Sequence, residues 1–550
     1  MAYPERRPVR TRLGRAKRAA LSTISVAGSI GLLGIAGCSV DNSNGITGGG
    51  DENYVVAEGT EPQNPLIPTN TNEVGGSRII DCLFAGLTYH DAEGNSHLET
   101  AESIDSNEDN TEYTVHLKDT KFSDGSPVTS HSFVDAWNFA VENSHLNAYV
   151  FEPIKGYEEG ATSMEGLQVI DDRTFRIVLS EPVAGFEERL GYNVFSPLPE
   201  QAFDDIDAFG EEPIGNGPYK LAGWGHNQGA TVVPNEEYNG DRKAQNEGVQ
   251  FNFYASPDAA YADLLSNNLD VIEAVPDTAM TTYKEDLGDR AVNKPYAGFT
   301  SFTIPERLDH FSGEEGKLRR QAISHAIDRQ QIIDTIFAGT KTPAKDFSSP
   351  AIPGYDSDIP GNEVTEFDPE KAKELWKQAD DIDKWDGDFQ LAYNSDGAGN
   401  KAWAEAVANS IKNVLGIEAH GEAYPDFKSM RDDVTSRTIE TPFRTGWVGE
   451  YPSVENFLTP LYGSQGGSND GDYSNPEFDR LLAKASGAKS PEQATEIYNQ
   501  AQEILFQDLP VIPLWYENTT GGTSENVDNV DFTWRQQPSY YAITKDEKQQ

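Results

Sequence analysis

Apolar and polar residues alternate, or recur at helical spacing, in short segments across residues 54–515. Residues 113–117 alternate between apolar and polar side chains, which predicts a half-buried strand. The same reasoning predicts strands at 174–179, 249–253 and 389–391. Residues 78–87 carry apolar side chains at helical spacing and predict a helix. Strands and helices mixed in this way along a whole chain indicate an α/β fold.

Several helix starts are marked by a capping residue that is followed by proline. The four dipeptides are Ser256-Pro257, Asp368-Pro369, Asn475-Pro476 and Ser490-Pro491. A Ser, Asp or Asn side chain accepts hydrogen bonds from the first turn, and proline at the first helical position has the required φ. Thr129 predicts a cap for a helix over 130–141. Ser312 and Glu315 predict a capping box before a helix over 317–337.

The N-terminus has the order of an export signal. Residues 1–18 carry seven basic side chains and one acid, and residues 19–37 form a weakly apolar run of small residues. The run ends in the sequence IAGC at 35–38, which resembles a bacterial lipobox. The resemblance implies that diacylglycerol is attached to the thiol of Cys38. Residues 38–53, rich in Ser, Asn, Gly and Asp, then form a flexible tether.

The expected mature protein therefore begins at Cys38, after a lipoprotein signal peptide at 1–37. It is expected at the extracytoplasmic face of the cell membrane, held by its lipid. Two alternatives are a plain signal peptide and an N-terminal transmembrane helix with a chance cysteine. The glycines and serines of the run make it a poor permanent span.

Composition narrows the class of protein. The chain has 550 residues, of which 37% are hydrophobic, and a mean hydropathy of -0.59, which favours a large core and argues against many membrane spans. The formal net charge is -47 without a basic stripe, so no nucleic-acid partner is expected. Lipidation of Cys38 leaves Cys82 as one thiol, so no disulfide framework is expected.

Catalytic motifs are missing from the sequence. It contains no G-x-S-x-G elbow, no phosphate-binding glycine loop and no H-E-x-x-H. Its nine histidines include no pair three or four residues apart, so neither a metal nor a cofactor is expected. The chain is therefore predicted not to be an enzyme. An anchored hydrolase stays open as an alternative, since any two of its many carboxylates can pair in space.

The stretch 443–453 is the strongest candidate for a binding site. Residues 444–451 hold one arginine, one acid and two aromatic side chains, interrupted by glycines. Arg444 and Glu450 have the charges that would bind the carboxylate and the ammonium of a peptide. The alternative is a surface turn beside a core tryptophan.

Six further segments carry a family resemblance. They lie at 117–129, 215–220, 235–240, 318–329, 368–372 and 473–479. In this order they resemble the extracellular solute-binding proteins of the peptide/dipeptide/nickel family, family 5, which serve ABC importers. One departure is the sequence TSHS at 129–132, where the family often has Thr-Ala-x-Asp.

The resemblance implies a fold and a domain organisation. The fold is an α/β, two-lobed, periplasmic-binding-protein-like clamp with an extra α/β subdomain on the first lobe. Lobe I is expected to be discontinuous, at 54–92, 212–300 and 512–550. The extra subdomain is expected at 93–211, and lobe II at 301–511.

The resemblance also implies roles for charged residues. Peptide-binding relatives have a W-x-x-D segment whose aspartate binds the ligand's amino terminus. Here Trp447 begins the segment, and Glu450 stands where the aspartate is usual. Arg444 is similar to an arginine three residues before that tryptophan, which can bind a ligand carboxylate or carbonyl. Alternatively, Arg444 pairs with Glu450 when the site is empty.

Main-chain and apolar contacts complete the implied site. Gly446 and Val448 would offer main-chain groups to an extended peptide. Trp447 and Tyr451 would line side-chain pockets, with a place in the core as the alternative for each. On the opposite lobe the 72–76 loop would face the ligand through Val74.

The resemblance implies a lipid-anchored binding component of an ABC importer. Its expected partners are an oligopeptide or dipeptide ligand, the permease subunits, and the membrane through the lipid on Cys38. A monomer is expected. Alternatives within the family are an oligosaccharide or a metal chelate as ligand, and a lipoprotein with a chaperone or adhesive role also stays open.

Overall fold

The computed structural model describes residues 53–397 and 399–545. The expected signal peptide, Cys38 and residues 38–52 of the expected tether lie outside the described residues. Within the described residues, every helix is too short or too polar to span a bilayer.

The described residues form twenty strands. They are β1 Val55–Gly59, β2 Thr88–His90, β3 Ser96–Leu98, β4 Ala101–Ser106, β5 Glu112–Leu117, β6 Leu167–Asp171, β7 Thr174–Val178, β8 Tyr219–Gly225, β9 Gly229–Pro234, β10 Val249–Phe253, β11 Val271–Ile272, β12 Lys294–Thr303, β13 Lys341–Pro343, β14 Phe389–Asn394, β15 Ala419–Tyr424, β16 Phe443–Val448, β17 Val511–Thr519, β18 Gly522–Thr523, β19 Val527–Asp528 and β20 Thr544–Lys545.

The described residues also form fourteen α-helices. They are α1 Val74–Leu83, α2 Ser130–Glu142, α3 Phe186–Arg189, α4 Ile206–Glu211, α5 Pro257–Leu265, α6 Tyr283–Leu287, α7 Gly313–His325, α8 Arg329–Ile336, α9 Pro369–Asp380, α10 Asn400–Leu415, α11 Phe427–Thr435, α12 Val454–Tyr462, α13 Pro476–Ser486 and α14 Pro491–Asp508.

Three larger sheets organise these elements. The first sheet has the strand order β18-β11-β1-β10-β9-β8, and the second has the order β13-β17-β12-β16-β14-β15. A third sheet, β4-β5-β7-β6, lies within the predicted subdomain 93–211. The first and second sheets each mix parallel and antiparallel pairs, as expected of an α/β fold.

The hydrophobic cores show two lobes. Val55 of the first sheet and Tyr113 of the third sheet belong to one buried cluster, so these two sheets form the first lobe together. Phe302, Leu391 and Trp515 belong to a separate cluster around the second sheet, which forms the second lobe. The chain thus has the expected two-lobed clamp, with a subdomain on its first lobe.

The predicted domain boundaries stay a prediction. The boundary between residues 300 and 301 falls inside β12, and the boundary between 511 and 512 falls inside β17. Both strands pair within the second sheet, so most of their residues lie with the second lobe.

Most predicted helix starts are confirmed. The four cap-proline dipeptides begin α5, α9, α13 and α14, and Thr129 is the N-cap of α2. The helix predicted over 78–87 instead spans Val74–Leu83, because the Glu73 side chain accepts from the main-chain N–H of Gly76 and starts the helix earlier. Residues expected to form a loop, 74–76, are therefore its first turn.

The helix predicted over 317–337 is two helices, α7 and α8. Asp328 begins α8 by accepting a hydrogen bond from the N–H of Gln331. The Ser312 side chain makes no capping hydrogen bond. Glu315 accepts instead from Arg319 at 2.7 Å, so the predicted capping box does not form.

The strongly negative surface predicts a dependence of stability on salt. Raising NaCl from about 0.05 M to about 2 M is expected to raise the melting temperature by roughly 5 °C, because ions screen repulsion between carboxylates in a chain of net charge -47. Calorimetry measures the shift. Sucrose at equal osmolality controls for exclusion of solutes from the surface. A melting temperature that responds equally to sucrose and to NaCl would contradict the prediction.

Candidate functional site

Strand β16 holds the predicted site and has one open edge. It pairs with β12 over its whole length, from Thr303↔Phe443 to Gly298↔Val448. On its other side it pairs with β14 at a single position, Ala392↔Phe443. In the part of the chain that the structure describes, no strand lies along the rest of that outer edge. A main-chain edge of this kind can bind an extended chain.

The orientation of the main chain shows which groups the open edge presents. The N–H of Gly449 donates to the carbonyl of Ala297 at 2.7 Å, so Gly449 faces β12. Residues alternate in direction along an antiparallel pair. The N–H and C=O groups of Trp447 therefore also face β12, whereas those of Gly446 and Val448 point away from it. These are the two residues predicted to offer main-chain groups.

A cavity of about 450 Å³ lies along this edge of the second lobe. Arg444, Gly446, Trp447 and Val448 line it together with residues of α11 and of the 461–473 segment. The Val448 side chain is 57% exposed. The cavity is large enough for amino-acid side chains.

The hydrogen-bond donors of Arg444 are only partly used in this cavity. One of its terminal nitrogens donates to Asn394 Oδ1 at 2.8 Å, and its guanidinium lies 5.9 Å from the ring centre of Phe427. Its Nε is buried without a hydrogen-bond partner. Burial lowers the pKa of Arg444, while the charge of Glu517 opposes that effect. A half-buried guanidinium with an unused N–H suits a carboxylate or carbonyl of a ligand.

Glu450 lies just beyond β16 and is held by two partners. Tyr149 in the first lobe donates its hydroxyl to Glu450 Oε1 at 2.6 Å. Asn456 donates from Nδ2 to Glu450 Oε2 at 3.2 Å. Burial, with the Glu450 carboxylate as the next cause, raises the pKa of Tyr149. No ion pair joins Glu450 to Arg444 within the described ranges, so the structure does not show the alternative in which these two residues pair.

Asn456 organises the predicted segment and was not predicted from the sequence. Its side chain is buried in α12, and its Oδ1 accepts from Trp447 Nε1 and from the main-chain N–H of Glu450, each at 3.0 Å. The side-chain amide of Asn456 therefore holds both the Trp447 indole and Glu450 in position. Tyr149 was missed for a different reason, because it lies 301 residues from Glu450 in sequence.

Tyr451 is buried at the contact between the lobes. Its hydroxyl donates to Glu455 Oε2 at 2.6 Å, and its ring centre lies 4.9 Å from the guanidinium of Arg189. Arg189 of the first lobe also pairs with Glu455 at 3.0 Å. Tyr451 thus occupies a core-like place and does not line the 450 Å³ cavity.

Val74 is the first residue of α1 and is 59% exposed. It does not line the cavity that contains Arg444. The structure thus brings Arg444, Gly446, Trp447 and Val448 together, whereas Glu450 lies next to them in sequence and is bound to the first lobe by Tyr149.

One group of side chains has the spacing of a metal site. His310, Glu315 and Asp383 offer ligand atoms within 4.8 Å of one another, the one such group in residues 53–397 and 399–545. Arg319 is fully buried beside them and donates to Glu315 at 2.7 Å and to the carbonyl of Asp383 at 2.6 Å. A guanidinium already pairs with one of the two carboxylates, so this group of side chains does not suit a metal ion.

The contact between the lobes predicts a dependence of stability on pH. Burial raises the pKa of Glu188 from its usual 4.5 to about 7, and Ser453 of the second lobe opposes this shift by a hydrogen bond. The folded protein therefore binds a proton that the unfolded chain releases between these values. The contribution of Glu188 to the free energy of unfolding is complete below pH 4.5 and is lost as the pH rises through 7.

Glu188→Gln is accordingly expected to reduce the fall in melting temperature between pH 6 and pH 8 by about 2 °C. Differential scanning calorimetry of both proteins at the two pH values measures this difference. Glu496→Gln, a change at an exposed position of α14, is the control for removing one charge. Identical pH slopes for wild type and Glu188→Gln would contradict the prediction.

The fold and the open edge of β16 define a class of protein. A two-lobed clamp with a cavity along an unpaired main-chain edge is built to bind a solute. The chain matches bacterial extracellular solute-binding proteins, family 5 Middle, over residues 97–469. It belongs to this family. It is therefore a transport binding protein and not an enzyme.

Similar proteins agree with this assignment. The oligopeptide-binding protein OppA of Bacillus subtilis is 26% identical over 498 residues, which cover 86% of this chain and 88% of that protein. The periplasmic oligopeptide-binding protein OppA of Escherichia coli is 27% identical over 504 residues, which cover 88% of this chain and 91% of that protein. The unliganded open form of the Escherichia coli periplasmic murein tripeptide binding protein MppA has a TM-score of 0.79 at 23% identity, covering 90% of this chain and 97% of that chain.

Proposed function

We propose that the chain captures peptides outside the cell and passes them to the permease of an ABC importer, while a lipid on Cys38 holds it at the membrane. The observation that carries this proposal is the unpaired outer edge of β16, which ends beside the acid Glu450. The names of the OppA relatives support a peptide as the ligand.

The peptide binds as an added strand along β16. Gly446 and Val448 supply an N–H and a C=O each, and these groups are the same whatever side chains the peptide carries. Gly446 suits close approach of another chain, since it has no side chain over the edge. Side chains of the peptide enter the 450 Å³ cavity.

The ammonium of the peptide binds Glu450. The carboxylate accepts from the Tyr149 hydroxyl and from Asn456. The phenol oxygen of Tyr149 keeps lone pairs that can accept from an ammonium, and the outward carbonyl of Val448 is a third acceptor. Three oxygen acceptors around one ammonium satisfy its three donors.

Arg444 binds a carbonyl or the carboxylate of the peptide through its unused Nε. The ligand then contacts the second lobe through β16 and the first lobe through Tyr149. A ligand that contacts both lobes stabilises their closed arrangement, and the permease recognises that arrangement.

The anchor is proposed from residues 1–38 alone. Radiolabelled fatty acid is expected to appear on the wild-type protein and to be lost in Cys38→Ala. Equal labelling of the two proteins would remove the anchor from the proposal and leave the ligand untouched.

The ligand itself is tested by mass spectrometry of small molecules released when the purified protein is denatured. Short peptides are expected. A sugar or a metal chelate, with no peptide in the released fraction, would overturn the substrate class. Calorimetry with a synthetic tetrapeptide that has a free amino terminus provides the second measurement.

A further inference from the structure

A second cavity, of about 120 Å³, lies in the first lobe between α1, β2 and the C-terminal segment 533–541. Since one water occupies about 30 Å³ of liquid, the volume suits a carboxylate group or a few waters. Its charged lining residues are Arg78, Asp81, Glu99, Arg242 and Arg535. Three of the five are arginines, although the whole chain has a net charge of -47.

Two of the three arginines already have carboxylate partners. Arg242 donates to both oxygens of Glu99, at 2.8 and 2.9 Å. Arg78 is paired with the buried Glu273. The Nε of Arg78 is nonetheless buried without a hydrogen-bond partner, which leaves one cationic N–H unused in a residue that lines the cavity.

Arg535 is the arginine without a close partner. The nearest carboxylate oxygen is Asp81 Oδ2, at 3.9 Å, which is too long for a hydrogen bond. No other carboxylate of the described residues lies within 4.0 Å of its guanidinium. The Arg535 side chain is 24% exposed, so a ligand can reach it from the cavity.

Two aromatic rings hold the guanidinium of Arg535 in place. Its central carbon lies 5.4 Å from the ring centre of Tyr192 and 5.7 Å from that of Trp534. Aromatic contacts restrict a guanidinium without using its N–H donors. A restrained guanidinium with free donors is the arrangement that binds a carboxylate in two parallel hydrogen bonds.

The polar groups around Arg535 leave room for such a ligand. Asn193 donates to Asp81 Oδ1 at 2.8 Å. The oxygen of Asp81 that is nearest to Arg535 is the other one, Oδ2. Burial raises the pKa of Asp81, and the positive charge of Arg535 opposes that shift. Asn193 Oδ1 is buried without a partner and can accept from an N–H of the ligand.

The cavity is close to the proposed peptide site. Burial raises the pKa of Tyr192, and the charges of Arg535, Glu450 and Asp81 act on the same phenol. Arg535 contacts the Tyr192 ring, and Glu450 is close enough to affect its hydroxyl. Arg535 and Glu450 are therefore both neighbours of Tyr192.

We propose that Arg535 is the centre of a carboxylate-binding subsite in the first lobe, which makes the protein prefer peptides that carry an acidic side chain or a terminal carboxylate near the amino end. This proposal rests on the proposed capture of peptides. Arg535 is then a specificity-determining residue on the lobe opposite Arg444. The preference is unexpected in a chain of net charge -47, whose general field disfavours anionic ligands.

Calorimetry with matched peptides tests the subsite. Each pair of tetra-alanine derivatives has Glu or Gln at position 2, 3 or 4, and a further pair of short alanine peptides has a free or an amidated carboxyl end. In wild type, one pair is expected to show an affinity ratio of about tenfold in favour of the charged member. Arg535→Gln is expected to bring that affinity ratio to about one. Arg535→Lys keeps the charge but loses the two parallel N–H donors, so its affinity ratio is expected to be intermediate.

Arg480→Gln is the matched control, because it removes an exposed arginine of α13 that is paired with Glu477. The affinity ratio of Arg480→Gln for each peptide pair is expected to equal that of wild type. Circular dichroism melting checks that each variant is folded; if Arg535→Gln is not, the intermediate ratio of Arg535→Lys decides. The proposal is overturned if no pair differs in wild type, or if the preference persists in both Arg535 variants.

A different outcome separates this proposal from the proposed function. If no peptide binds wild type, peptide capture fails, and the subsite is tested by saturation-transfer NMR with acetate and acetamide. Acetate signal that is lost in Arg535→Gln would support a subsite for free small carboxylates. No acetate signal, or an equal signal from acetamide, would overturn the subsite as well.

Discussion

Glu450→Gln is expected to weaken a free-amine peptide about 100-fold, with a far smaller effect on the same peptide when it is N-acetylated. The glutamine keeps the size of the side chain and can still accept from Tyr149, so the geometry around position 450 is kept. What it loses is the negative charge that the ammonium needs when water is excluded. Calorimetry with the two peptides gives the four affinities.

The controls isolate the charge at this position. Glu450→Asp keeps the charge with one methylene less, and is expected to retain most of the discrimination between the two peptides. Glu496→Gln removes a charge from the exposed side of α14 and is expected to change neither affinity. An equal loss for the free and the acetylated peptide would reject Glu450 as the partner of the ammonium.

Val448→Pro is expected to weaken peptide binding about tenfold and to change the melting temperature little, since one ligand hydrogen bond is lost. The N–H of Val448 points away from β12, so proline removes a donor that only the ligand would use. An edge strand accepts proline where the N–H faces solvent. Calorimetry measures the affinity, and circular dichroism measures the melting temperature.

Two comparison variants make the result specific to the main chain. Val448→Ala keeps the N–H and is expected to bind nearly as well as wild type. Thr445 faces β12, where it pairs with Ser301, so Thr445→Pro is expected to lower the melting temperature instead. Peptide affinity of Val448→Pro equal to that of wild type would argue against strand addition along β16.

Local sequence patterns predicted much of the fold. The cap-proline dipeptides begin helices where expected, because both residues act on the adjacent turn alone. The strand predicted at 249–253 is β10, and its partner strands were beyond prediction, because register depends on contacts far away in sequence.

The break between α7 and α8 shows a limit of such patterns. Helical spacing continues through it, yet Arg329 is buried and donates to the carbonyls of Pro513 and Thr365 at 2.8 and 2.6 Å. These tertiary hydrogen bonds fix the main chain at the start of α8. The sequence of residues 317–337 cannot predict these hydrogen bonds, because their acceptors lie 36 and 184 residues from Arg329.

The residues of the candidate site also fall into those that local sequence predicts and those that it does not. The charged and aromatic residues at 444–451 were found because they are adjacent in sequence, and the W-x-x-E segment resembles a family motif. Asn456 and Tyr149 were missed, since an asparagine in a helix and a tyrosine in another lobe give no local signal. The cavity around Arg535 was missed for this reason too, because it joins α1 to residues 533–541, which are far away in sequence.

The first sheet joins β1 to β18, which are far apart along the chain, and this has a consequence for folding. β1 begins at Val55, but β18 completes the sheet only at Gly522–Thr523, and Lys545 then pairs with the buried Asp270 at 2.7 Å. The first sheet therefore cannot be completed by its early strands alone, and folding of β1 and its neighbours depends on a segment more than four hundred residues away. A chain without the segment from β18 to Lys545 lacks this closure and leaves Asp270 without its ammonium partner.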